Sequence, residues 1–277
     1  MIVDDLYPRY SAALIQSIGW DLSGMGLETI LLDGLLQFPR LNFALRTPAP
    51  GICASHFRGS PEMKAREPDV FVQIAPALHY FLPRFNLDDF RRLEPAHKMS
   101  ILRLIRRYGF RSRFLFLRVP PEETSTVLSH FATDVIFLLP AEADDMTRCY
   151  QRIKLAMMGL RPGSAGMVVV GSENRKQAAL VWEKFCLGMD RFLGKTADFL
   201  GCLPEIRDSA ALLSRKKTGR GGGTVQPELP YLSPLMARLL EEERTSEPFR
   251  SLELFLRWME SLTREEEVTI EEEQFFG

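Results

Sequence analysis

The sequence predicts a doubly wound α/β fold, a mostly parallel sheet with helices on both faces, followed by C-terminal helices. Two observations predict it. Short apolar runs bounded by breakers alternate with helical patterns as far as Pro204, which is the signature of βαβ units. The chain has 277 residues, 45% hydrophobic and 26% charged, enough to bury one substantial core with a small appendage.

In order, strands are expected at 28–33, 70–74, 113–119, 133–139, 166–170 and 197–203, each short, apolar and closed by turn residues. Helical patterns at 11–22, 96–108, 122–131, 144–158 and 173–193 are long enough to serve as crossovers covering both faces. Between the first two strands, Pro39, Pro48, Pro50, Pro61 and Pro68 with Gly51 and Gly59 predict an irregular excursion over 40–68. Ser172-Glu173 reads as an N-cap with a first-turn acid.

After Pro204 the pattern changes. Arg215-Lys216-Lys217-Thr218-Gly219-Arg220 and the glycines after it read as a mobile basic loop. A phosphate loop joins a strand to a helix, and this run leads to Pro227 and Pro230 instead; its functional alternative is contact with an acidic partner. Two helices follow. The second, over 248–262, sets Phe249, Leu252, Phe255, Leu256, Met259 and Leu262 on one stripe, to dock on the chain's own core or on a partner. Glu265-Glu266-Glu267 and Glu271-Glu272-Glu273 form an acidic tail, expected to be disordered. The expected organisation is an α/β domain over 1–240 and an amphipathic helix with its tail over 241–277, without internal repeats.

Composition bounds the partners. The 35 basic and 36 acidic side chains give a net charge of -1, so no global field draws the chain to nucleic acid or anionic membrane. Cys53, Cys149, Cys186 and Cys202 lack CxxC spacing and neighbouring histidines, which argues for buried, reduced thiols and against a disulfide framework or bound metal. The N-terminus lacks the basic and apolar regions of a signal peptide, and no apolar run reaches the ~18 residues that span a bilayer. A cytoplasmic protein is expected.

The segment Phe131-Ala132-Thr133-Asp134-Val135-Ile136-Phe137-Leu138-Leu139-Pro140, followed by Tyr150-Gln151-Arg152-Ile153-Lys154, resembles the MinD/ParA pattern of strand, Pro-rich turn and helix ending near Ile-Lys. Met167-Val168-Val169-Val170, then Arg191-Phe192-Leu193 and Phe199-Leu200-Gly201-Cys202-Leu203-Pro204, continue it in order, closest to the flagellar-number and division-site branch. Upstream, the run from Thr29 through Asp33 to Pro39-Arg40-Leu41 is similar to the family's second strand and its Pro-x-Leu turn. The resemblance implies a P-loop NTPase-like fold. In the family it also implies ATP hydrolysis, through a glycine-rich loop whose N–H groups cradle phosphates, a lysine, and a Ser/Thr on magnesium.

Four parts of that site differ here. At the phosphate loop the chain reads Asp4-Asp5-Leu6-Tyr7-Pro8-Arg9-Tyr10-Ser11, with no glycine, a proline lacking an N–H, bulky rings and two acids. Only Arg9 and Ser11 resemble the lysine and the metal-binding hydroxyl. Asp33 matches the first carboxylate of the family's Asp-x-Asp, and Leu35 replaces the second. Arg118-Val119-Pro120-Pro121 stands where the family has Asp-x-Pro-Pro, a cation for an anion that disfavours Mg²⁺ and attracts anions. Gly171-Ser172 occupies the turn where the family often places an adenine-binding Asn.

Other features carry weaker signals. Arg103, Arg106 and Arg107 share a helix face and are the nucleic-acid candidate, though without an aromatic platform they read as a solvated face. His56, His79, His97 and His130 have no catalytic spacing and read as structural or surface residues.

The expected function is binding without catalysis or metal: a non-hydrolysing MinD/ParA-like pseudo-ATPase that retains the family's partner and dimer surfaces. It would act as scaffold or regulator in positioning a bacterial surface machine or division site, as a homodimer or paired with an ATP-competent relative. The alternatives are a diverged ATPase using Arg9, Ser11, Asp33 and Arg118, with ATP as cofactor, and a nonspecific DNA-binding adaptor using the arginine cluster.

Overall fold

A computed structural model of the chain describes residues 2–4, 7–33, 52–53, 71–81, 83–84, 94–109, 111–119, 134–142, 146–158, 165–206, 232–245, 253 and 256–257. The strands are β1 (Ile2–Asp4), β2 (Thr29–Asp33), β3 (Ile52–Cys53), β4 (Phe71–Ala75), β5 (Leu78–Phe81), β6 (Pro83–Arg84), β7 (Phe114–Val119), β8 (Val135–Pro140), β9 (Ala165–Val170) and β10 (Asp198–Leu203). The helices are α1 (Pro8–Gly24), α2 (Pro95–Gly109), α3 (Met146–Met158), α4 (Arg175–Leu193) and α5 (Ser233–Thr245). The expected helix at 122–131, the basic loop, the acidic tail and most of 248–262 lie outside the described residues.

Eight strands form one sheet in the order β10-β9-β8-β1-β7-β2-β5-β4, parallel throughout except for the hairpin partner β4 at the edge. All six expected strands are present. Not expected from the sequence were β1 and β5 of this sheet, one of three residues and one of four, nor β3 and β6, of two residues each, all too short to show an apolar period. A small second sheet pairs β3 with β6.

Alternation along each strand sorts the apolar side chains into two layers. On one face Ile30, Leu32, Leu117, Phe137, Leu139, Met167 and Val169 pack against α2, α3 and α4. On the other, Leu31, Tyr80, Phe116, Leu138 and Val168 pack against α1 and α5. The chain leaves β1 through α1 in one direction along the sheet and passes through β8, β9 and β10 in the other. Right-handed crossovers running in opposite directions put their helices on opposite faces.

Local chemistry explains the close approaches. Gly19 brings α1 down onto the sheet, where an added Cβ would lie 3.0 Å from Leu78 Cδ1. A Cβ on Gly166 would fall 2.1 Å from Leu200 Cδ1, so glycine there lets Leu200 of β10 lie across β9. The N-cap of α4 is Asn174, whose Oδ1 accepts the N–H groups of Lys176 and Gln177 at 2.9 and 3.3 Å; this corrects the Ser172-Glu173 expectation. Gly194, at φ 60°, closes the same helix in the left-handed conformation.

Of the expected C-terminal stripe only Leu256 lies among the described residues. Glu253, Leu256 and Arg257 are helical, and Leu256 is fully enclosed in the layer under α2, α3 and α4. Cys149, Cys186 and Cys202 are free, buried thiols. His79 faces Glu28 at 3.2 Å, a structural role.

Candidate functional site

In an open α/β sheet the crevice for ligands lies beyond the carboxyl ends of the strands, where the strand order reverses. Here that place is the end of β1, flanked by β7 and β8, under the N-terminus of α1. Only residues 5–7 connect β1 to α1, because the helix begins at Pro8. Half of the segment compared with the phosphate loop, Pro8 to Ser11, is therefore the first turn of a helix.

That turn bonds two of its donors internally. Pro8 has no N–H, and the amides of Tyr10 and Ser11 both bond to the Tyr7 carbonyl, at 2.9 and 3.0 Å. Tyr7, at the N-cap, makes no side-chain cap, and its ring packs against both core layers, closing the top of the sheet beside β1. Tyr10 meets Tyr7 edge to face with ring centroids 6.4 Å apart. From there Tyr10 reaches across the crevice. Its hydroxyl accepts the Ile206 N–H at 3.4 Å, beyond the end of β10, and an added Cβ on Gly171, beyond the end of β9, would lie 3.8 Å from that oxygen. Gly171 adopts φ 83° and donates its N–H to Leu203, tying the two strand ends together.

The residues picked out from sequence divide into two groups. Asp33 and Arg118 are direct register partners at the ends of β2 and β7, and Arg118 also pairs with Val3 of β1, so the sheet brings these two positions together. Arg118 is 0% exposed, the largest fully buried side chain. Burying a guanidinium is costly unless charge and hydrogen bonds compensate, and Arg118 is engaged in such interactions. Arg9 and Ser11 part company: Arg9 is exposed on the first turn of α1, whereas Ser11 is fully buried. Arg103, Arg106 and Arg107 are all exposed on α2.

As a receptacle for Mg²⁺ and a triphosphate the arrangement fits poorly. A cradle needs several converging main-chain N–H groups. In the α1 turn Pro8 has no N–H and the Tyr10 and Ser11 amides are bonded to Tyr7, the Tyr10 hydroxyl is held at Ile206 beyond β10, and the buried Arg118 sets a cation near the end of β7 beside β1. Among the described residues no cluster of His, Cys, Asp or Glu could hold a metal. No described helix is long and apolar enough to cross a membrane.

Solved structures of similar shape decide the fold. The chain superposes on a ParA family ATPase from Chlorobium tepidum with a TM-score of 0.52 at 10% identity, covering 93% of this chain and 98% of that one. It superposes on the MinD cell division protein from Aquifex aeolicus with a TM-score of 0.50 at 14% identity, covering 93% and 96%. The fold is MinD/ParA-like. A chain of the MinC:MinD cell division protein complex from Aquifex aeolicus also matches, with a TM-score of 0.50 and 13% identity over 77% of this chain and 85% of that one. No family model and no curated protein matches the sequence.

Sequence reasoning missed the cross-crevice contact within this MinD/ParA-like fold. Tyr10 was visible as unwanted bulk, but its partner Ile206 lies 196 positions away, and no local pattern links them. The left-handed Gly171 immediately after an apolar strand was the one available signal.

Proposed function

We propose that this chain is a MinD/ParA-like protein that works by binding a protein partner and does not hydrolyse ATP. One observation carries the reading: Tyr10 spans the crevice from the first turn of α1 to the Ile206 amide, where a P-loop protein keeps bare backbone for phosphates. The buried Arg118 beside Asp33, in place of a magnesium-associated carboxylate, supports it. In this reading Tyr10 and Arg118 take the place of nucleotide and metal, the fold rests in one state, and its surfaces serve as a scaffold. In this reading it acts in the cytoplasm, as a homodimer or paired with an ATP-competent relative, in positioning a bacterial surface machine or the division site. The MinC:MinD complex is a precedent for a protein partner on this fold.

Calorimetric titration of the purified chain with ATP and Mg²⁺ tests the reading. No saturable heat is expected. Saturable micromolar binding with turnover that Arg9→Ala abolishes would replace it with a diverged ATPase.

A further inference from the structure

The outer face of α3 is unlike an ordinary solvated helix. Arg148 and Lys154 give it two exposed cations, with the half-buried Arg152 beside them, and its sequence from Met146 to Met158 holds no acid. Its exposed side chains include Leu155 at 60% and Met158 at 65%, adjacent by i, i+3 spacing, with Gln151, Lys154 and Arg148 on the same arc. Lys195 donates to the Met157 and Met158 carbonyls and adds a further cation at the helix end. A pair of large apolar groups ringed by cations is built to receive a segment both acidic and apolar.

The chain carries one such segment. Residues 265–276 read Glu265-Glu266-Glu267-Val268-Thr269-Ile270-Glu271-Glu272-Glu273-Gln274-Phe275-Phe276, six acids interleaved with apolar side chains and no basic residue. Its point of departure is fixed on the correct side of the sheet: Leu256 is buried in the same layer as Cys149, Ile153, Ala156 and Met157 of α3. From 257 to 274 the chain can reach roughly 55 Å when extended, several times the ~10 Å between packed layers. Of the other helices on that side, α2 exposes Arg103, Arg106 and Arg107 but no large apolar side chain on its described positions, and α4 exposes Leu180, Leu187 and Phe192 among cations but also the acids Glu183 and Asp190. Only α3 joins exposed apolar groups to cations without an acid in the helix, and that combination chooses it.

We propose that the outer face of α3, centred on Leu155 and Met158 and rimmed by Arg148 and Lys154, is the docking surface for the chain's own C-terminal segment 265–276. The acids meet the cations, and Phe275 and Phe276 cover the apolar pair. Docking places this face under the control of whatever competes for the tail, independently of the crevice.

Cross-linking in the full chain tests it. In a Cys53→Ser background, Gln274→Cys is paired with Gln151→Cys on the α3 face, with Met25→Cys on the α1 side, or with Arg103→Cys on α2. The 151 pair is expected to close at least about tenfold faster than either control, as a monomer, because docking raises the effective concentration of the tail at one place. That advantage is expected to disappear at high salt and with Arg148→Glu/Lys154→Glu, surface changes whose folding is checked by circular dichroism. Equal rates at all three positions, preference for 103, a covalent dimer in place of the monomeric link, or indifference to the charge reversal each overturn the proposal.

Discussion

Arg238 Nη2 lies 2.7 Å from Asp134 Oδ1, joining α5 to the residue just before β8, two positions more than a hundred residues apart in the chain. The Asp134 side chain is 7% exposed and that of Arg238 12%, so the pair is largely removed from water. The same guanidinium reaches Asp198, a 68% exposed carboxylate, at 2.6 Å. Truncation as Arg238→Ala leaves a buried carboxylate unpaired and is expected to cost about 3 kcal/mol in urea unfolding. Asp198→Asn, on the exposed arm, is expected to cost under about 1 kcal/mol. Equal losses would show that the two arms are not distinguished by burial.

Gly166 is a packing requirement. A methyl group there meets Leu200, which is itself buried, so Gly166→Ala forces Leu200 off its position and is expected to cost roughly 1–3 kcal/mol. The double variant Gly166→Ala/Leu200→Ala relieves the overlap, and its loss should be smaller than the sum of the two single losses by chemical denaturation.

Tyr10 makes separable contributions. Tyr10→Phe removes only the acceptor for the Ile206 N–H, a long bond, and is expected to cost about 0.5–1 kcal/mol. Tyr10→Ala also removes the ring that faces Tyr7 and joins the core layer, for roughly 2 kcal/mol. Neither variant is expected to acquire ATP turnover, because Pro8 and the buried Arg118 remain. A phosphate-release assay that detects turnover in Tyr10→Ala would show the ring to be the sole obstacle.

Burial pushes the Cys186 thiol up from its ordinary value, with the Asp198 carboxylate adding to the shift, and burial pushes Cys202 up as well. A folded-state pKa above the unfolded one contributes stability that is complete below the unfolded value of about 8.5 and is lost as pH rises through the folded value. Urea midpoints are therefore expected to fall as pH is raised above about 8.5, and Cys186→Ala should flatten that slope. An unchanged slope would assign the alkaline loss to other groups.

The sequence carried the architecture because burial on both faces of a parallel sheet imposes unbroken apolar runs. Val135–Pro140 and Ala165–Val170 are buried at every position, and both were legible as strands. β1 was not, since three residues that end in Asp4 and are followed by Asp5 display no period, although it sits at the centre of the sheet. Helix starts were less legible for a similar reason: Pro8 both departs from a phosphate loop and suits a first helical turn, and local pattern could not choose.

By itself the sequence determined the fold class, that residues 4–11 hold no glycine, and that an arginine stands near the end of the strand running to Val119, because each is a statement about which residue types occupy a strand or a turn. Only the tertiary structure decided that Asp33 and Arg118 stand in one register row, that Tyr10 reaches Ile206, and that Arg238 holds Asp134. These are contacts between distant segments. They arise when the two apolar layers close, and the closing sheet, rather than any local preference, sets which side chains then share a space.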